Sequence, residues 1–171
     1  MIHLYCGDGK GKTTAAMGLA LRTAGRGGGV VIAQFLKSGD SGERHALSLV
    51  PRVTLLEVPA QIKFSFQMTP EERAAEARRS LNLLIQAEEL AHQRGCRLLV
   101  LDEACGAVSA GLLPLSALLE TLDRLPPETE VVLTGRDPAP ELLDRAHYVT
   151  EMKKIRHPFD RGLKARPGIE Y

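Results

Sequence analysis

Gly7-Asp8-Gly9-Lys10-Gly11-Lys12-Thr13-Thr14 decides the fold of this chain, because it stands between an apolar run, Ile2 to Cys6, and an alanine-rich helical pattern, Thr13 to Ala24. A glycine-rich turn from strand to helix is a phosphate cradle. Its glycines let consecutive N–H groups turn toward anionic oxygens. Lys12, read as an exposed loop lysine, adds mobile positive charge, and Thr13 brings a hydroxyl for Mg²⁺ to the helix N-terminus. The expected ligand is a nucleoside triphosphate. In one respect the spacing departs from G-x-x-x-x-G-K-[ST]: counting back from Gly11-Lys12, Cys6 stands where the first glycine belongs. The loop is one residue short, and a shortened cradle need not hold a triphosphate as a kinase or ATPase does.

Outward from the loop, apolar runs alternate with helical patterns. Ile2 to Cys6, Val30 to Phe35, Val53 to Val58, Leu98 to Leu101, Val131 to Thr134 and His147 to Thr150 are the strand candidates. The first five are continuous enough to be buried on both faces. Helices are expected over Thr13 to Ala24, Thr69 to Arg94, Leu115 to Arg124 and Pro140 to Ala146. For the longest, Thr69 and Glu72 form a capping box, Pro70 takes the first helical position and Gly95 ends it. The pattern is that of an α/β doubly wound fold with a mostly parallel sheet, helices on both faces and ligands at the carboxyl ends of the strands.

Composition narrows the class. A chain of 171 residues with 44% hydrophobic content has room for one core, so a single domain over 1–171 is expected, with 151–171 as a basic tail. The net charge of +1 argues against a nucleic-acid-coating protein. Positive charge collects only in the tail, where Lys153, Lys154, Arg156, Arg161, Lys164 and Arg166 face three acids. Cys6, Cys96 and Cys105 lie on or beside apolar segments, as buried thiols of a reducing compartment do. No stretch is long enough to span a membrane and no signal peptide precedes the first strand, so a cytoplasmic location is expected.

A second chemical element is Arg97-Leu98-Leu99-Val100-Leu101-Asp102-Glu103, an apolar strand that delivers two acids at its carboxyl end. A carboxylate there holds Mg²⁺ directly or through water beside a phosphate loop. If the strand continues, Asp102 and Glu103 point in opposite directions, so one serves the metal and the other a supporting bond.

Four further stretches carry a resemblance. Gln34-Phe35-Leu36-Lys37, Gly42-Glu43-Arg44, Leu133-Thr134-Gly135-Arg136 and the tail from His157 to Tyr171 resemble the ATP:corrinoid adenosyltransferases of the CobA type, as does the Gly7 to Thr14 loop with its missing residue. The similarity runs from Ile2 to Tyr171. It implies a P-loop, RecA-like fold and transfer of the 5′-deoxyadenosyl group of ATP to the cobalt of a reduced corrinoid, with release of triphosphate. The nucleophile is then Co(I) and the bond broken is C5′–O, so no general base is required. The protein's work is positioning and neutralisation of the leaving group.

The resemblance also implies roles by residue. Gly7, Asp8, Gly9, Lys10, Gly11, Lys12, Thr13 and Thr14 hold ATP, with Arg22 near the nucleotide. Thr13 and Glu103 bind Mg²⁺ or Mn²⁺, Asp102 lies behind them, and Lys12, Thr13 and Glu103 form the catalytic set. Phe64 and Phe66 border the corrinoid, sharing one face if their segment is extended; the alternative is a strand edge packed on the long helix. An electron-donating flavoprotein and a homodimer are implied as partners. Three departures stand out. Asp8 replaces a frequent asparagine, its charge to be relieved by ribose or a nearby lysine. Phe66 and Lys63 replace a tryptophan and a glycine, and cover over the site is left to the 61–67 loop or the basic tail. Two other readings stay open: a small-molecule kinase, which needs an acid or histidine base at the γ-phosphate, and a non-catalytic ATP-sensing protein with an exposed apolar face.

Overall fold

The computed structural model of the protein describes residues 1–39, 41–93 and 95–170. Among these residues six strands form one sheet: β1 (Ile2–Cys6), β2 (Gly29–Gln34), β3 (Val53–Leu55), β4 (Cys96–Asp102), β5 (Glu130–Thr134) and β6 (Tyr148–Glu151). Their order is β3-β2-β4-β5-β1-β6, and every neighbouring pair is parallel. The described residues between them form six α-helices: α1 (Lys12–Gly25), α2 (Gly42–Ser48), α3 (Pro70–Gln93), α4 (Ala104–Ser109), α5 (Leu115–Arg124) and α6 (Pro140–Arg145).

The continuous apolar runs of β2 and β4 exist because both sheet faces are covered. On one face Val31, Ala33, Leu99 and Leu101 pack with Leu83, Leu84 and Ala87 of α3 and Leu118 of α5. On the other, Val30, Ile32, Leu98 and Val100 pack with Ala16, Met17 and Ala20 of α1. Burial on both faces fails at the edges. β3 stops at Leu55, three residues before the apolar run does, and is only half-buried, while β6 is exposed throughout. The capping box of α3 is formed: the Thr69 N–H donates to Glu72 Oε2 at 2.9 Å, and the Glu72 N–H donates to Thr69 Oγ1 at 3.2 Å. The helix runs to Gln93; its expected last residue, Arg94, lies outside the described residues, as does Tyr171.

Two features of this topology build the site. The strand carrying the cradle, β1, and the strand carrying the acids, β4, are separated by β5, yet α1 crosses so that its first turn stands over the end of β4. After β6 the chain turns back over the cradle: the Gly9 N–H donates to the Met152 carbonyl, and residues of the tail as far as Glu170 line the same cleft. Among the described residues no helix is long and apolar enough to cross a membrane.

Candidate functional site

Left-handed backbone at Gly7 (φ 99°) and Gly11 (φ 112°) bends the loop between β1 and α1, a conformation that side chains strongly disfavour. Helix α1 then opens at Lys12, so its first N–H groups face the cleft without helical partners. Lys12 is not the exposed loop lysine expected. It is 7% exposed, and its ammonium donates to the carbonyls of Gly7 and Gly9, each at 2.8 Å. Burial lowers its pKa, against the opposing pull of Glu103. Lys10 donates to the Ile169 carbonyl at 2.7 Å and so ties the tail to the loop.

The charge of Asp8 is met first of all by a backbone amide, with the Lys154 ammonium adding a smaller attraction. Its Oδ1 accepts the Lys154 backbone N–H at 2.8 Å, which holds the carboxyl below its ordinary range. The reason is topological: the segment after β6 runs beside the loop and presents its amide there.

Beneath the cradle, Asp102 is fully buried and fully bonded. Its Oδ1 accepts the hydroxyls of Thr13 at 2.9 Å and Thr134 at 2.7 Å, and its Oδ2 accepts Gln34 Nε2 at 3.2 Å and lies 3.1 Å from Lys37 Nζ. Parallel pairing of β2 with β4 sets Gln34 beside Asp102. The strand does not continue into Glu103, so the alternation of the two acids does not apply. Glu103 takes a left-handed conformation (φ 60°), donates its N–H to Thr134 Oγ1 at 2.8 Å and opens α4. Its side chain faces the cleft that Asp102 lies under. Burial, then the neighbouring Asp102, raises the Glu103 pKa.

The cleft holds about 790 Å³. It gathers the cradle, Thr13, Thr14 and Glu103, as expected, and also Lys37, Glu43 and Arg136. These last three carried no assigned role, although each sits in a stretch noted for its resemblance. Their signal is position: polar residues just beyond apolar strands of a parallel sheet face its ligand edge. Burial works against the Glu43 carboxyl, but the Ser41 hydroxyl and the Lys37 ammonium bring it down to about 2. Burial likewise works against the Lys37 charge, and Asp102 and Glu43 outweigh it.

Three expected site residues lie elsewhere. Arg22 is exposed near the end of α1 and does not line the cleft. Phe64 and Phe66, 69% and 80% exposed, are also outside the lining. Their segment is a 3₁₀ turn, Ser65–Gln67, and not extended; even so the two rings stack, with centroids 5.5 Å apart and planes at 11°. Neither is buried against the long helix.

The family model for ATP:corrinoid adenosyltransferase BtuR/CobO/CobP matches residues 1–171. The chain belongs to this family. It is 33% identical over 172 residues to the corrinoid adenosyltransferase CobA of Salmonella typhimurium, spanning all of this chain and 85% of the relative. It is 32% identical to the corrinoid adenosyltransferase of Escherichia coli, with the same coverage. Against that of Pseudomonas aeruginosa it is 31% identical, spanning 83% of the relative. Within this adenosyltransferase the short loop, Lys37 and Arg136 line one cleft at the carboxyl ends of the strands, with the buried Asp102 beneath it.

Proposed function

We propose that this adenosyltransferase moves the 5′-deoxyadenosyl group of ATP to the Co(I) of a reduced corrinoid. The cobalt electron pair forms the bond to C5′, the C5′–O bond breaks, and its pair leaves on triphosphate. The observation that carries the reading is that a family match over the whole chain coincides with a cleft built for a leaving anion: a glycine cradle at a helix N-terminus, with Lys12, Lys37 and Arg136 around it. Co(I) has no proton to lose, so the chain's task is to place C5′ and to neutralise the departing charge.

The backbone of Gly7 to Gly11, Lys10 and Lys12 would hold the phosphates, and Thr14 would add a hydroxyl. The donors nearby are hard oxygens, the Thr13 hydroxyl and the Glu103 carboxylate, which suit Mg²⁺ or Mn²⁺. Among the described residues no three His, Cys, Asp or Glu converge as a metal cage. Thr13 and Glu103 would hold the ion and phosphate oxygens would complete its shell, while Asp102 fixes Thr13 from behind. When bound, the ion neutralises the triphosphate. Phe64 and Phe66 offer a stacked apolar pair for the face of a corrin.

The same reading includes a single unit over 1–171 with a basic tail, a homodimer, and a flavoprotein that reduces cobalt. A reducing cytoplasm is supported by the free, buried state of Cys6, Cys96 and Cys105. The test is direct: incubation with ATP, Mg²⁺ and chemically reduced corrinoid should give the visible spectrum of a light-sensitive cobalt–carbon bond. ATP hydrolysis or phosphorylation without that product would overturn the proposal.

A further inference from the structure

Lys37 sits in a cage of three oxygens. Its Nζ is 3.2 Å from Thr13 Oγ1, 3.0 Å from Glu43 Oε1 and 3.1 Å from Asp102 Oδ2. The backbone puts it there at some cost. Leu36 takes a left-handed conformation (φ 51°), which folds Lys37 back over the end of β2. A non-glycine residue keeps such strain only where its surroundings enforce it. Gln34 and Arg44 brace the cage: Gln34 Nε2 donates to Asp102, and Arg44 Nη1 donates to Gln34 Oε1 at 2.8 Å.

Thr13 is the shared atom of two demands. Its proton goes to Asp102, which leaves the lone pairs of the oxygen for acceptance. Lys37 donates into one region of that oxygen, and a divalent ion held by Thr13 needs the same oxygen. The cage counts two carboxylates against one ammonium, a net charge of −1. A doubly charged ion held by Thr13 would reverse that sign and would be repelled by an ammonium fixed on the same oxygen. The ammonium is half-buried and faces the cleft, where a bound phosphate chain would offer it a strong alternative acceptor.

We propose that Lys37 is a second phosphate-binding lysine of this site, one that fills the metal seat beside Thr13 until the divalent ion arrives with the triphosphate and then passes from Asp102 and Glu43 to the phosphate oxygens. The proposal rests on the adenosyltransferase reading only for the identity of the anion. It makes metal and Lys37 mutually exclusive at Thr13, and it makes the ion enter with its nucleotide.

The test uses two probes that need no corrinoid: Mn²⁺ alone, followed by electron paramagnetic resonance, and inorganic tripolyphosphate with Mg²⁺, followed by calorimetry. Lys37→Met should bind Mn²⁺ about tenfold more tightly than the natural chain. The same variant should bind magnesium tripolyphosphate about ten- to a hundredfold more weakly, the loss of one charge-assisted hydrogen bond. Lys37→Arg should exclude Mn²⁺ as the natural chain does. Shifts of opposite sign in one variant cannot come from poor folding, which weakens both. Weakening of both, or no change in either, overturns the proposal. Adenosyl transfer by the natural chain is measured separately: opposite shifts without transfer remove the corrinoid reading and leave Lys37 in place, while transfer without the shifts does the reverse.

Discussion

Gly9 and Met152 meet backbone to backbone. The Gly9 N–H donates to the Met152 carbonyl at 2.6 Å, and a Cβ on Gly9 would stand 2.5 Å from that same oxygen. Gly9 has no left-handed backbone, so its glycine is required by the approach of the returning chain and not by its own φ. Gly9→Ala should therefore cost about 1–3 kcal/mol, the range for overfilling a packed contact, and should displace the tail from the cradle. Gly18→Ala, in α1 with nothing within 4 Å of the added carbon, should instead gain about 0.5–1 kcal/mol. Thermal unfolding and ATP binding check both; a Gly9→Ala protein with normal ATP affinity would show that the tail contact does not shape the loop.

Lys12→Ala should abolish transfer and also destabilise the fold, because the ammonium is buried on two carbonyls of its own loop. Loss of two charge-assisted bonds is expected to cost about 1–3 kcal/mol. Denaturant unfolding beside the transfer rate checks this. Normal stability with lost activity would mean that the loop holds its shape without the lysine.

The architecture was legible because β1, β2, β4 and β5 are continuous apolar runs, and because the capping box of Thr69 and Glu72 and the glycines of the loop act through local chemistry. Helices α2 and α4 were not foreseen: at seven and six residues they are too short to show a 3.6-residue period, and neither opens on a proline as the equally short α6 does. The inner shell of the site was half legible. Thr13, Asp102 and Glu103 follow from motif position, but the placement of Lys37 depends on a left-handed turn at Leu36 and that of the Glu103 side chain on one at Glu103, residues with no intrinsic tendency toward them. Likewise the amide partner of Asp8 arises from the returning tail, a contact between residues 146 positions apart.

Glu103→Gln should raise the Mg²⁺ requirement of transfer well above any change in the corrinoid requirement. It should also stabilise the protein at neutral pH. The folded pKa of Glu103 lies above its unfolded value of about 4.3, since burial and Asp102 oppose its charge. Its favourable contribution is thus complete below that value and lost as pH rises through the folded pKa, where a buried charge remains. Melting temperatures at pH 7.5 and below pH 4 should show a gain in the first and little in the second. An unchanged metal titration would shift the role to Asp102.

Away from the cleft, Glu88 binds α3 to α5. It accepts Thr121 Oγ1 at 2.8 Å and the Arg124 guanidinium through both oxygens, at 2.7 and 2.9 Å. Arg124 first, then Thr121, overcome burial and hold the Glu88 carboxyl below its ordinary range. With a lowered folded pKa its stabilisation is present above the unfolded value and lost as pH falls through the folded one. Glu88→Gln should therefore lower the melting temperature at pH 7 by a few degrees, for about 1 kcal/mol in a chain of this size. The difference should close as pH falls below 4; a constant gap down to pH 3 would locate the effect in packing.

Phe64 and Phe66 stack on each other while most of both rings remains open to water. Exposed rings add little to the stability of a fold, so Phe64→Ala and Phe66→Ala should leave the melting temperature nearly unchanged and report on function alone. The turn that carries them is anchored from outside: Arg73 Nη1 donates to the Ser65 carbonyl at 3.1 Å, and Lys63 pairs with Glu72 at 2.5 Å. A phenyl ring has no lone pair to give to cobalt. Set under the metal in place of an axial ligand, it would leave Co(II) four-coordinate and easier to reduce. Each variant should then slow adenosylation strongly when Co(II) must be reduced in the assay, and much less when Co(I) is supplied preformed. Because the rings touch, the double variant should lose less than the sum of the two. The measurement is the pair of rates for each protein together with the spectrum of bound Co(II) corrinoid in the presence of ATP. Equal losses in both assays, or a five-coordinate spectrum in the natural chain, would leave the stacked pair without a part in the reduction.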